Sequence, residues 1–156
     1  MRVLGVDPGF DRLGLAVVEG NPSKPTLVWS ACVTPAKGSP EVRLAAVSAA
    51  VARAIKTYTP EVLAIEKLFF STNRKTALKV GEARGAVLAT AGAHELAVAE
   101  YSPQEVKLAV TGHGAADKTA IARMLPRLLT LPQKKRRDDE LDAISIALAG
   151  LSTPPR

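Results

Sequence analysis

The spacing of apolar positions along the chain changes several times, and each change marks an element. Residues 3–6 form a short β-branched run, residues 13–18 repeat its character after the Pro8-Gly9 turn, and residues 26–33 add a third after Asn21-Pro22-Ser23. Three such runs joined by short turns predict an antiparallel meander. From 41 to 58 the spacing becomes helical, with Leu44, Val47, Val51, Ile55 and Tyr58 on one face and Arg43, Arg53 and Lys56 elsewhere. Pro60 closes that helix. Residues 62–65 are again a compact apolar run, with Glu66 at its carboxyl end. A strand that follows a helix implies a crossover, so this strand is expected to lie parallel to the first.

Residues 75–90 read as a second helix. It carries Gly81 and Gly85 on one face, a costly choice inside a helix unless another backbone approaches there, from this chain or a second one. Residues 96–99 predict a further strand. Ser102-Pro103-Gln104-Glu105 fits a capping box with proline at the first helical position, so a helix is expected over 103–110. After the loop Thr111-Gly112-His113-Gly114 a helix is expected over 117–129, and after Leu131-Pro132 a last one over 138–149. The order βββαβαβααα predicts an α/β domain whose mixed sheet is covered by helices. Residues 151–156 are expected to form a flexible tail.

Composition adds a domain count and a partner class. A chain of 156 residues, 47% hydrophobic and 23% charged, suits one globular domain. Its 21 Lys and Arg against 15 Asp and Glu leave a net charge of +6, which favours a polyanionic partner. Cys32 is the only cysteine, so a disulfide or a thiolate cluster within one chain is excluded, a reducing compartment fits, and a buried, inert thiol is expected. No apolar run reaches the ~18 residues that would suggest a membrane span. A cytoplasmic protein without membrane partners is therefore expected.

The positions of four acids carry the chemistry. Asp7 ends one apolar strand and Glu66 ends another, although acids are depleted in strands and costly beside a core. Asp-Pro-Gly is also good turn chemistry, which by itself would account for Asp7. Two acids at equivalent ends of neighbouring strands would repel unless a cation lay between them. Asp139 and Asp142 stand at i, i+3 and so share a face of the last helix, while Asp138 and Glu140 point elsewhere. Acids at a helix N-terminus also complement its dipole. The preceding Lys134-Lys135-Arg136-Arg137 favours a nucleic-acid reading, because that run could hold a phosphate backbone beside the acids. Oxygen ligands without paired histidines suit Mg²⁺ or Mn²⁺, and two such ions can drive phosphodiester hydrolysis.

Segments in a fixed order make the chain resemble the RuvC crossover-junction endodeoxyribonucleases of the RNase H-like superfamily. They are Leu4-Gly5-Val6-Asp7-Pro8-Gly9 with Gly14, Ala64-Ile65-Glu66-Lys67-Leu68-Phe69, and Ala77-Leu78-Lys79-Val80-Gly81-Glu82-Ala83-Arg84-Gly85. Val106-Lys107, Gly112-His113-Gly114-Ala115-Ala116-Asp117-Lys118 and Asp139-Glu140-Leu141-Asp142-Ala143 follow. The resemblance implies a five-stranded RNase H-like sheet with its first three strands antiparallel and helices on both faces. It implies a homodimer that nicks two like-polarity strands of a four-way DNA junction, leaving 5′-phosphate and 3′-hydroxyl ends, in recombination and repair. It carries metal-holding roles onto Asp7, Glu66, Asp139 and Asp142, with two Mg²⁺ ions per site and Mn²⁺ as a substitute. Asp138 stands beside Asp139, and the spacing to Asp142 favours Asp139. Phe69 becomes the wedge at the crossover, Lys107 and Lys118 become phosphate contacts, and RuvA and RuvB become expected partners. His113 is a candidate for orienting the nucleophile or protonating the leaving group.

Three other readings share some of these features, and one of them, a single-domain nuclease of the same superfamily that acts on RNA, would use the same acids, although the Phe69 and Lys118 segments favour the DNA junction. Asp7-Pro8-Gly9 also resembles the phosphate loop of actin-like and sugar-kinase-like phosphotransferases, but that class uses two such domains around a nucleotide cleft. A non-catalytic junction-binding module would have no need of all four acids.

Overall fold

In the computed structural model the described residues are 1–68, 74–132 and 134–153. The chain runs through β1 (Arg2–Asp7), β2 (Leu13–Asn21), β3 (Lys24–Val33), α1 (Pro40–Tyr58), β4 (Val62–Glu66), α2 (Arg74–Ala93), β5 (Ala97–Tyr101), α3 (Pro103–Thr111), α4 (Lys118–Leu128) and α5 (Asp138–Ser152). One sheet takes the order β3-β2-β1-β4-β5. Its first three strands pair antiparallel, and β4 and β5 join parallel to β1. The meander, the crossover and the element order expected from the pattern are all present.

Local chemistry explains the boundaries. Asn21 Oδ1 accepts from the backbone N–H groups of Ser23 and Lys24, each at 3.0 Å, which folds the β2–β3 turn. The capping box forms as expected: Ser102 Oγ accepts from Glu105 N–H at 3.2 Å, and the Glu105 carboxylate accepts from Ser102 N–H at 2.6 Å. Asp117 caps α4 by accepting from Ala120 N–H at 2.7 Å.

Alternation along the strands sends side chains to two cores. Leu4, Val6, Leu63 and Ile65 pack under α1 and α2, while Val3, Val62, Ala64 and Ala99 pack under α3, α4 and α5. Asp7 and Glu66 continue the second series. They therefore leave the sheet on the α5 side.

Helix α5 lies unusually close to the strands. A Cβ added to Gly5 would sit 2.2 Å from the Ala143 carbonyl oxygen, one on Gly14 1.9 Å from that of Asp139, and one on Gly150 2.7 Å from Val3 Cγ1. Glycine and alanine at this seam let the helix backbone press onto β1 and β2.

The expectation of a flexible tail from 151 is corrected at its start. Leu151 is buried within α5, and the Tyr101 hydroxyl donates to the carbonyl of Thr153. A large apolar side chain with a pocket to fill extends the helix by one more turn. Residues 154–156 lie outside the described residues. Among the described residues no helix is long and apolar enough to cross a membrane.

Candidate active site

The four acids predicted from sequence meet at one end of the sheet. Val6 stands opposite Ile65 on the neighbouring parallel strand, so Asp7 and Glu66, one residue further on each, emerge at the same level. Asp7 also faces Gly14 across the antiparallel pair, and Gly14 carries the backbone of Asp139 directly above it. The i, i+3 spacing then brings Asp142 in beside Asp139, one turn along α5.

Proton affinities record the crowding. Burial, and then the charges of Asp142, Asp139 and Glu66, push Asp7 from 3.8 up to about 7. Glu66 is raised by burial and by Asp142, against the opposing pull of Lys107 and Lys118. Asp142 is raised by burial, with Lys118 opposing and Asp138 and Asp139 adding to the rise. A cluster that resists its own ionisation lacks positive charge, and an all-oxygen donor set matches a hard dication. Among the described residues no three acidic, histidine or cysteine side chains are drawn together tightly enough to enclose an ion. The outer acids are instead held by cations: Arg12 Nε is 3.0 Å from Asp139 Oδ2, and Lys118 Nζ is 3.8 Å from Asp142 Oδ2.

Lys107 and Lys118 lie within electrostatic reach of Glu66. The basic run does not act as one unit. Lys134 Nζ lies 2.7 Å from Glu140 Oε1, and Arg136, with only 6% of its side chain exposed, pairs with the same oxygen at 3.4 Å. The buried Glu140 carboxylate thus pairs with both, enclosing the Arg136 side chain while that of Lys134 stays about half exposed. Lys135 and Arg137 remain exposed. Phe69 lies outside the described residues. His113 sits in the exposed loop between α3 and α4, where its Nδ1 accepts from Ala115 N–H at 3.2 Å.

Sequence reasoning missed Arg12, whose role appears only when its turn folds against α5. It also missed Arg84, which donates to the Glu66 carbonyl at 3.3 Å and pairs with Glu100 at 2.9 Å, bracing the end of β4. Cys32 is half-buried rather than fully enclosed, and its thiol points at Asp139 Oδ2 from 4.0 Å. Burial, and then the charge of Asp139, push that thiol's pKa up, which disfavours the thiolate form. A groove of about 650 Å³ runs from Asp139 past Arg12 and Phe10 to Lys79 on α2.

The profile of the family described as "Crossover junction endodeoxyribonuclease RuvC" matches residues 3–150. The chain belongs to this family. A crossover junction endodeoxyribonuclease RuvC of Moorella thermoacetica is 44% identical over 99% of this chain and 93% of its own. One from Thermomicrobium roseum is 43% identical over 95% and 91%. The structure of Thermus thermophilus RuvC in complex with a Holliday junction substrate superposes with a TM-score of 0.89, at 36% identity, covering 96% of this chain and 92% of that one. The RuvC family is a family of nucleases, and the RNase H-like sheet expected from the resemblance is the one observed.

Proposed function

We propose that the protein is a metal-dependent endonuclease that resolves four-way DNA junctions, with Asp7, Glu66, Asp139 and Asp142 holding two Mg²⁺ ions. The observation that carries this reading is the convergence of four acids on one sheet end, where burial and mutual repulsion push Asp7 up to about 7. Metals bound there would activate a water molecule for in-line attack on phosphorus and stabilise the departing 3′ oxygen. Mn²⁺, with the same preference for oxygen, is expected to substitute.

The chain's own residues supply the rest. Lys107 and Lys118 partly neutralise the acids and offer phosphate contacts at the mouth of the site. Arg12, whose bond to Asp139 is half exposed, is placed to exchange that partner for a phosphate oxygen. His113, with Nδ1 engaged by Ala115 N–H, has Nε2 left to hand a proton to the leaving oxygen. Phe69 keeps the wedge role implied by its place in the motif.

Cutting both strands needs two sites, hence a two-fold dimer. Helix α2 suits the interface: Leu78 is 67% exposed, and a Cβ on Gly85 or Gly92 would meet nothing within 4 Å in this chain. A cytoplasmic setting and partnership with RuvA and RuvB branch-migration proteins belong to the same reading. The test compares cleavage of a four-way junction with that of linear duplex and RNA–DNA hybrid in Mg²⁺. Selective, paired nicking of the junction is expected. Equal cutting of the hybrid would point to a ribonuclease of the same fold instead.

A further inference from the structure

Glu140 is one of very few buried charged residues, and the chemistry above leaves it unused. Its side chain is 6% exposed, and one oxygen gathers three partners. Ser30 Oγ donates to Oε1 at 2.6 Å from β3, Lys134 Nζ lies 2.7 Å away, and Arg136 Nε lies 3.4 Å away. Lys134 Nζ also donates to the Ser30 carbonyl at 3.1 Å, and the Arg136 guanidinium donates to the Pro132 carbonyl at 3.0 Å. The cluster therefore ties three parts of the chain together: β3, the 134–137 segment and the first turn of α5.

That first turn needs an anchor. Its N-cap, Arg137, makes no side-chain capping bond, and the two outer acids project from this otherwise uncapped end. Glycine contacts at Gly5 and Gly14 set how close α5 comes to the sheet, and the buried side chains of Ile144, Ile146 and Leu148 hold its later turns, whereas the buried side chain of the first turn is Glu140. Glu140 stands about 100° around the helix from Asp139, so fixing one fixes the direction of the other.

We propose that Glu140, clamped by Ser30, Lys134 and Arg136, is a positioning residue that sets the rotation of the α5 N-terminus and so aims Asp139 and Asp142 at Asp7. The clamp has a second effect. It encloses the Arg136 guanidinium, while Lys134 stays about half exposed and Lys135 and Arg137 face solvent. The proposal rests on the nuclease reading of the four-acid site.

Its test uses the full chain with Glu140→Gln and, separately, the pair Glu140→Met with Lys134→Met, which removes the buried carboxylate and its closest cation together. Asp7→Asn serves as the control for the site itself. Four quantities are measured: thermal melting, junction affinity in Ca²⁺, single-turnover cleavage across Mg²⁺ concentrations, and Mn²⁺ binding by electron paramagnetic resonance. For both test variants, junction affinity should stay within about threefold while cleavage and Mn²⁺ affinity each fall about tenfold to a hundredfold, as when a group that orients metal-holding side chains is lost. Glu140→Asp, which keeps the charge, should recover part of both losses.

Wild-type cleavage and Mn²⁺ affinity in the Met pair would overturn the proposal, as would losses that merely follow junction affinity. Should Glu140→Gln not fold, the Met pair decides alone. Normal cutting by Asp7→Asn would instead bring down the nuclease reading, whereas an inactive Asp7→Asn beside a fully active Met pair removes only the positioning role.

Discussion

Asp7 retains a proton that an exposed aspartate would have lost, since burial and three neighbouring carboxylates lift it from 3.8 to about 7. Folding in the absence of metal therefore takes up a proton between those two values. The folded state binds more protons than the unfolded one across that window, so stability is highest below about pH 4 as far as this group is concerned and declines as pH rises towards 7. Asp7→Asn removes the penalty. In EDTA at pH 8 it should stabilise the protein by on the order of 3 kcal/mol, and at pH 4 by almost nothing. Urea unfolding at the two pH values measures this, and equal stability at pH 8 would contradict the crowding of charge at the site. The same variant, like Glu66→Gln, Asp139→Asn and Asp142→Asn, should lose cleavage in Mg²⁺ while keeping junction binding. A near wild-type rate in any one of them would remove that residue from the ligand set, and Asp138→Asn beside Asp139→Asn decides between those neighbours.

At the scale of elements, the site is a junction of two strand ends with one helix end, and its precision depends on how near α5 comes. Gly14 is the tightest point, where an added methyl group would overlap the carbonyl of Asp139. Gly14→Ala must lift the first turn of α5, displacing both outer acids without changing any of them. We expect a loss of about 1–3 kcal/mol in stability from overpacking. Cleavage should fall by roughly a hundredfold, the cost of a misplacement near 1 Å. Gel assays under single-turnover conditions, at temperatures where the variant is fully folded, separate the two effects. Cleavage at the wild-type rate would show that the acids tolerate a looser helix than the contacts imply.

At the scale of the molecule, a net charge of +6 is distributed unevenly, and the structure separates cations that face solvent from those the fold consumes. Replacing Lys107, Lys118, Lys135 or Arg137 with alanine should each reduce the slope of log affinity against log salt by ~0.9 if the residue meets a phosphate. Lys134→Ala should leave that slope unchanged and lower the melting temperature, because its amine is already paired with Glu140. Fluorescence anisotropy between 50 and 200 mM salt checks this. A salt-independent affinity would remove the electrostatic account of binding. For assembly, Gly85→Arg on the exposed face of α2 should give folded monomers by sedimentation. These should nick a cruciform plasmid without linearising it, and a monomer that still linearised it in one binding event would overturn the dimer mechanism.

Features that local chemistry writes into neighbouring residues were legible along the chain. Period-two and period-3.6 spacing determined the element order, Ser102 with Glu105 the start of α3, and the placing of Asp7 and Glu66 at the ends of apolar strands their candidacy for chemistry. The ordered motifs extended this to the family, because such a set recurs only where one fold and one site are kept. Tertiary structure decided whatever depends on residues far apart along the chain. Ser30 and Glu140 are separated by 110 positions, and nothing near either one announces that the carboxylate will be buried. Once it is, desolvation favours pairing it with Lys134 and Arg136, and a run that reads as four equivalent cations divides into a buried partner, Arg136, a half-exposed one, Lys134, and the exposed Lys135 and Arg137. Arg12 likewise becomes a partner of Asp139 only when its turn meets α5. The division follows the range of the forces: backbone preference and amphipathic spacing act within a few residues, whereas burial and charge pairing are settled by whichever distant segments the fold brings together.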